Sequence, residues 1–158
     1  LFSRHILKYL FKIMEYIETG KKEGAKLVLG GDNPKDPELK NGFFINPTIF
    51  TDVNPNMTIA KEEIFGPVIS VLTWESYEEL IEIANSTLYG LTAMIATNSL
   101  SNAMKTAEDI EAGYVWVNTF GRYSGAPYGG WKLSGLGVEE CFDEMKSYAK
   151  LKNINMKW

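Results

Sequence analysis

The sequence predicts an α/β fold: a mostly parallel open sheet built around a βαβαβ core. Three observations carry the prediction. The segments 68–74, 91–97 and 114–118 are rich in β-branched and aromatic residues, as strands are. The two segments between them carry helix start and stop signals. Each crossover runs about 10 to 15 residues, long enough for parallel pairing through right-handed connections.

Taken in chain order, Ile6, Leu7, Leu10, Phe11, Ile13, Met14 and Ile17 recur at helical spacing and predict an amphipathic helix ended at Gly20. Lys26-Leu27-Val28-Leu29 before Gly30-Gly31 reads as a short strand, and the polar run Asp32 to Pro37 as a surface loop. Gly42 to Phe50 returns to β composition, with Pro47 arguing for an edge or interrupted strand. Val68 to Trp74 is the first strand of the core. Ser76-Tyr77-Glu78-Glu79 has capping-box spacing and opens a helix to about Asn85. Leu91 to Thr97 is the second core strand. A helix from about Leu100 is expected to end at Gly113, with the glycine in the left-handed terminal position. Tyr114 to Asn118 is the third core strand. Phe120 to Gly137 is a long glycine-rich loop, of a length often tied to function. Val138 to Tyr148 predicts a helix, and Lys150 to Trp158 a last strand with Ile154, Met156 and Trp158 on one side.

At 158 residues and 17.8 kDa, the chain is long enough for one domain with a real core. A composition 45% hydrophobic and 23% charged is that of a folding chain. One cysteine and one histidine exclude an internal disulfide and a Cys/His zinc site, so no metal site is expected. Sixteen basic against twenty acidic residues give a formal charge of −4, which supplies no overall attraction for nucleic acid. The apolar stretch around Val68 to Trp74 is far shorter than the about 20 residues that span a bilayer, so no membrane partner is expected. Leu1-Phe2-Ser3-Arg4 is neither a start codon's methionine nor a secretory signal, which reads as a processed or cut chain. The expected compartment is the cytoplasm, with an organelle matrix left open.

Four features invite chemistry. Cys141 lies in Glu139-Glu140-Cys141-Phe142-Asp143-Glu144, where acidic neighbours oppose thiolate formation and a small apolar role is the simpler reading. His5, beside Arg4 and Lys8 without an acidic neighbour, reads as structural or surface. A cysteine hydrolase pairing Cys141 with His5 is therefore disfavoured. The loop Gly129 to Gly137 could crowd backbone N–H groups around a phosphate, or simply pack as a tight turn. It lacks the Walker spacing. In Lys61-Glu62-Glu63-Ile64-Phe65-Gly66-Pro67-Val68, a carboxylate and a ring could project together at a strand mouth, where open α/β sheets bind ligands. A carboxylate there could accept hydrogen bonds from a sugar diol while the ring packs on a ligand face; a solvated acidic turn is the alternative.

These segments occur together in an order that resembles the aldehyde dehydrogenase superfamily. The matching stretches are Gly20-Lys21-Lys22-Glu23-Gly24-Ala25-Lys26, Gly42 through Phe50, Lys61 through Val68, Tyr89-Gly90-Leu91, Ala112 through Asn118, and Pro127 through Gly137. Together they cover roughly Ile17 to the end. The specific signal is Glu-Glu-Ile-Phe-Gly-Pro-Val, followed by Gly-Tyr-Val-Trp-Val-Asn and then Pro-Tyr-Gly-Gly-Trp-Lys-Leu-Ser-Gly.

The resemblance implies oxidation of an aldehyde to an acid with NAD or NADP. It implies a cysteine that attacks the aldehyde, hydride transfer from the thiohemiacetal to the nicotinamide, and a glutamate that activates water. Both residues, and the dinucleotide-binding domain, are implied upstream of Glu62-Glu63-Ile64-Phe65-Gly66-Pro67, so no catalytic residue is assigned within this chain. By motif, Glu63 would hold the nicotinamide ribose hydroxyls and Phe65 would pack beside it. Tyr128 would lie at the substrate tunnel, with Thr119 to Ala126 at its entrance. The glycine-rich loop would then be a wall near the catalytic centre. The implied organisation is the C-terminal portion of the catalytic domain over 1–147, and a terminal strand over 148–158 that joins a neighbouring subunit's sheet in a homodimer or tetramer. Two positions depart from the pattern: Gly137-Val138-Glu139 stands where relatives commonly carry Gly-Arg-Glu, and Lys150 where they often carry an acidic or neutral polar residue. If the two are close, the changes could compensate. Alone, the chain is expected not to oxidise aldehydes. The reading from another class is a non-catalytic assembly or binding protein that retains the fold.

Overall fold

The computed structural model describes residues 2–39 and 41–158, with side chains from Ile6 onward, so His5 lies outside the described side chains. The α/β class is as the sequence predicts. The strands fall into three small open sheets, and the chain divides into two compact units, Leu1–Leu80 and Ile81–Trp158.

The first unit begins with α1 (Phe2–Lys22), which continues through Gly20. Gly20 is retained for close approach: a Cβ there would come within 2.8 Å of Ile59 Cδ1. The helix stops instead at Gly24, whose φ of +98° is the left-handed conformation that suits glycine. Lys21 and Lys22 sit in the last turn, where cations complement the helix dipole.

Then come β1 (Lys26–Leu29), a 3-10 turn (Pro37–Leu39), β2 (Thr48–Thr51), α2 (Thr58–Lys61) and β3 (Val68–Ser70). The sheet order is β1-β2-β3, antiparallel between β1 and β2 and parallel between β2 and β3. β2 is thus central, not an edge, and tolerates Pro47 because it begins one residue later. Ile13 and Ile17 of α1 pack with Phe50 of β2, Ile59 of α2, and Val53 and Ile64 from the connecting loops to form the core. Glu23 caps α2, its carboxylate accepting from the Thr58 N–H at 2.8 Å and the Thr58 hydroxyl at 2.6 Å. Buried Thr48 accepts from Gly31 N–H and donates to the Asn46 carbonyl, both at 2.9 Å, which holds the Gly30-Gly31 turn on β2.

The unit boundary falls within α3 (Tyr77–Asn85). Its cap works as the sequence predicts at one end, Glu79 N–H donating to Ser76 Oγ at 3.2 Å. At the other end the Glu79 carboxylate reaches the N–H of Glu75 at 2.8 Å.

The second unit holds β4 (Tyr89–Gly90), β5 (Thr92–Ile95), α4 (Leu100–Asp109), β6 (Tyr114–Val117), β7 (Trp131–Lys132) and α5 (Phe142–Ser147). β5 and β6 pair in parallel across α4, with Thr92 opposite Tyr114 and Ile95 opposite Val117, the predicted βαβ unit. The other predicted parallel neighbour takes a different partner: β3 pairs with β2. α4 starts at the Ser99 cap, which accepts from Asn102 N–H, and ends at Asp109, short of Gly113. Gly113 is not in the left-handed conformation. β4 and β7 form an antiparallel pair that the sequence pattern did not predict, because two residues are too few for a periodicity. No strand is formed over 151–158, and Leu151, Ile154, Met156 and Trp158 are exposed. Among the described residues, no helix is long and apolar enough to cross a membrane.

Candidate functional site

In the first unit, the loop from Glu62 to Pro67 connects α2 to β3. Its anchor is Ile64, 8% exposed and packed into the core, while Glu63 and Phe65 on either side of it are exposed. Gly66 fits because a Cβ would meet three carbons of Ile13 at 2.8–2.9 Å. Glu62 is tied down by Tyr16, whose hydroxyl donates to its carboxylate at 2.7 Å. Phe65 adopts φ +55°, a left-handed conformation costly for a residue with a Cβ, and its ring is 76% exposed. The loop therefore spends conformational energy to present a ring to its surroundings. It directly precedes β3, as the sequence pattern has it, and so lies at the amino end of that strand.

In the second unit, the glycine-rich stretch is a fastened wall. Lys132 Nζ donates to the carbonyls of Asn85 at 2.7 Å and Thr87 at 3.1 Å and forms an ion pair with Glu111. The Ser134 hydroxyl accepts from Gly90 N–H at 2.9 Å, and Leu133 N–H donates to the Leu88 carbonyl at 3.0 Å. Asn85 bridges as well, donating to the Asp109 carbonyl and accepting from Glu111 N–H. These bonds fasten the 132–134 stretch to the rest of the unit, as in a packed turn. Sequence reasoning named the Gly-Gly-x-Lys-x-Ser-Gly pattern but missed the anchoring roles of Lys132 and Ser134. Lys132 has a left-handed φ of +53° and 133–134 form a turn, so no local periodicity in the sequence signalled where the two side chains would reach.

Tyr128 sits at the start of this wall, half-buried. Its ring centroid is 5.5 Å from that of Tyr114, which in turn is 4.9 Å from that of Trp116. Trp116 Nε1 donates to the Gly121 carbonyl at 2.8 Å, fastening the 119–126 segment to β6. The Arg122 guanidinium lies 3.9 Å from the centre of the Tyr128 ring and pairs with the Glu140 carboxylate. The hydrogen bond it donates to Glu140 holds the Arg122 guanidinium more firmly protonated than usual, against a smaller opposing effect of burial. A cavity of about 670 Å³ borders Tyr128, Gly129, Ser134, Val138, Glu139 and Tyr148.

Val138 abuts the turn: a Cβ at Gly129 would come within 2.9 Å of its Cγ1. Val138 is nonetheless 37% exposed, and Lys150 is exposed as well. Cys141 is the residue before α5, not inside a helix begun at Val138, because Glu139 is held in an extended bridge to Tyr128. The site residues thus divide between the units, Glu63 and Phe65 in the first and Tyr128 in the second.

The profile of the aldehyde dehydrogenase family matches residues 8–154. The aldehyde dehydrogenase tropH of Talaromyces stipitatus is 48% identical over 149 residues, covering 92% of this chain and 29% of the relative. The betaine aldehyde dehydrogenase of Bacillus subtilis is 44% identical over 144 residues, covering 90% of this chain and 29% of its own length. Among solved structures, an indole-3-acetaldehyde dehydrogenase of P. syringae in complex with NAD+ and IAA superimposes with a TM-score of 0.86 at 45% identity, covering 92% of this chain and 29% of that one. A Mycobacterium tuberculosis aldehyde dehydrogenase complexed with NAD+ gives 0.85 at 40% identity, over 89% and 29%. The chain therefore spans somewhat under a third of the length of the relatives it matches. With the family profile running over nearly its whole length, the chain belongs to the aldehyde dehydrogenase family.

Proposed function

We propose that this chain is the C-terminal part of an enzyme that oxidises an aldehyde to a carboxylic acid with NAD or NADP. The observation that carries the reading is the loop in which buried Ile64 holds Glu63 and Phe65 outward, with Phe65 in a strained conformation. A carboxylate and a ring fit the chemistry of a nicotinamide riboside. The carboxylate accepts hydrogen bonds from the ribose hydroxyls, and the ring gives an apolar surface beside them. The nicotinamide, when bound, is the hydride acceptor. Glu63 and Phe65 orient it, and Tyr128 with the fastened 129–137 turn forms a rigid wall on the substrate side. The nucleophilic cysteine and the water-activating glutamate belong to an upstream segment, so the chain alone does not turn over aldehydes.

The expected effect of Glu63→Ala in the full-length enzyme is a loss of nucleotide affinity of about tenfold or more, since hydrogen bonds to a charged group contribute about 1.5–3 kcal/mol. Quenching of protein fluorescence by titrated NADH measures it, and an unchanged dissociation constant would remove Glu63 from the cofactor site.

The terminal segment supports an assembly role. Residues 151–158 form no ladder within the chain, yet Leu151, Ile154, Met156 and Trp158 expose large apolar side chains. In our reading they complete the sheet of a neighbouring subunit. Deleting 149–158 from the full-length enzyme should shift its sedimentation coefficient from that of a dimer or tetramer to that of a monomer, and an unshifted boundary would refute this.

A further inference from the structure

We propose that Arg122 and Glu140 are positioning residues that fix the Tyr128 ring in the substrate-side wall and so set how tightly aromatic aldehydes bind. The inference rests on Tyr128 lining the substrate passage, as proposed above, and adds what determines its orientation.

The geometry is a closed circuit. The Arg122 guanidinium stacks at 3.9 Å from the Tyr128 ring centre and donates to the Glu140 carboxylate. Glu139, next to Glu140, is joined to Tyr128 by two backbone hydrogen bonds, of 2.7 Å and 3.0 Å. The Tyr128 backbone and ring are thus held by consecutive residues of one strand-like segment, the backbone directly and the ring through Arg122. Isolated surface ion pairs contribute little, because each must order two flexible side chains. Here the ordering is shared with a ring stack and a backbone bridge, and the guanidinium's planarity suits both the carboxylate and the ring face.

Glu140 itself shows that its orientation is imposed. Its φ of +61° is left-handed, a conformation that persists in a residue with a Cβ only where surrounding contacts over-determine it. Those contacts are present: its N–H donates to Glu144 Oε2 at 2.6 Å, and its carbonyl accepts from Gly125 N–H at 3.0 Å. The second bond draws the 119–126 segment, which carries Arg122, onto the same point. Ala126 N–H closes the turn on the Tyr123 carbonyl at 3.1 Å, and Tyr123 N–H reaches the Tyr114 hydroxyl at 3.4 Å. Arg122, the 119–126 segment and the start of α5 therefore meet at Glu140, while Tyr114 of β6 packs on the Tyr128 ring from its own side.

The test is steady-state kinetics of the full-length enzyme with benzaldehyde, large enough to meet Tyr128, and with acetaldehyde, too small to do so. Arg122→Met and Glu140→Gln should each raise KM for benzaldehyde about tenfold while leaving kcat and the acetaldehyde parameters within about twofold. Arg122→Lys, which keeps the charge but loses the planar stack, should fall between. In a Tyr128→Ala background, Arg122→Met should have no further effect on the benzaldehyde KM. Equal losses for both aldehydes, or an Arg122→Met effect that persists without the Tyr128 ring, would overturn the proposal while leaving the enzymatic reading intact. A wild-type enzyme that oxidises neither aldehyde would refute the enzymatic reading, and this inference with it.

Discussion

Phe50→Ala is expected to cost the first unit about 3–5 kcal/mol, the range for truncating a buried phenylalanine. Phe50 is fully buried in the central strand, opposite Leu27 of β1 and Ser70 of β3, and its ring belongs to the cluster that joins α1 and α2 to the sheet. A Cβ at Gly20 would come within 3.4 Å of Phe50 Cζ, so the helix backbone itself lies close to the end of the ring. The void left by alanine is bounded by backbone on that side and cannot collapse freely, which places the loss high in the range. Net stabilities of about 5–15 kcal/mol make such a loss a large fraction of the total. Urea unfolding followed by circular dichroism measures it, with Phe11→Ala on the exposed side of α1 as the comparison, expected within about 0.5 kcal/mol of wild type. A Phe50→Ala loss below about 1 kcal/mol would contradict the packing described.

Gly113→Ala is expected to be the most damaging single change in the second unit, at about 3 kcal/mol, the upper end for overpacking. An added Cβ would lie 1.8 Å from the Gly129 carbonyl oxygen and 2.8 Å from its carbon. Both are backbone atoms, so no rotamer change relieves the clash. At Gly20 the obstructing atom is the flexible tip of Ile59, and a shift there is easier. The cost at Gly113 is steric and not conformational, since its φ is not left-handed. Relief requires the 129–137 turn to move away from β6. That would strain the Gly113 N–H bond to the Gly90 carbonyl, at 3.0 Å, and the Ser134 contact to Gly90. Faster amide hydrogen exchange at Leu133 and Ser134, together with a lowered unfolding midpoint, would show it; wild-type exchange and stability would mean that the turn and β6 are not in contact.

These two positions mark what the sequence conveyed and what it withheld. Phe50 was legible as part of a β segment, but its place in a central strand was not: Pro47 argued for an edge or an interrupted strand, and the strand does begin only at Thr48, while the pairing with β3 decided against an edge. Gly113 was legible as a glycine at a boundary, yet the reason read from it was wrong: the helix had already ended at Asp109, and the missing Cβ makes room for Gly129, a residue sixteen positions away. Glu63, Phe65 and Tyr128 were singled out by motif as candidates. The left-handed backbone of Phe65 and the hold of Glu140 and Arg122 on Tyr128 had no signal in local sequence.

The sequence by itself determined the α/β class, the amphipathic first helix, the Ser76 cap and the parallel 92–117 unit. Each depends on side-chain periodicity or on groups within about four residues, so local chemistry suffices. Only the tertiary structure decided that β3 pairs with β2, that β4 pairs with β7 and that Lys132 and Ser134 fasten the glycine-rich wall. Those outcomes depend on backbone groups dozens of residues apart finding one another, and on which close approaches a missing Cβ permits. No window of sequence contains both partners.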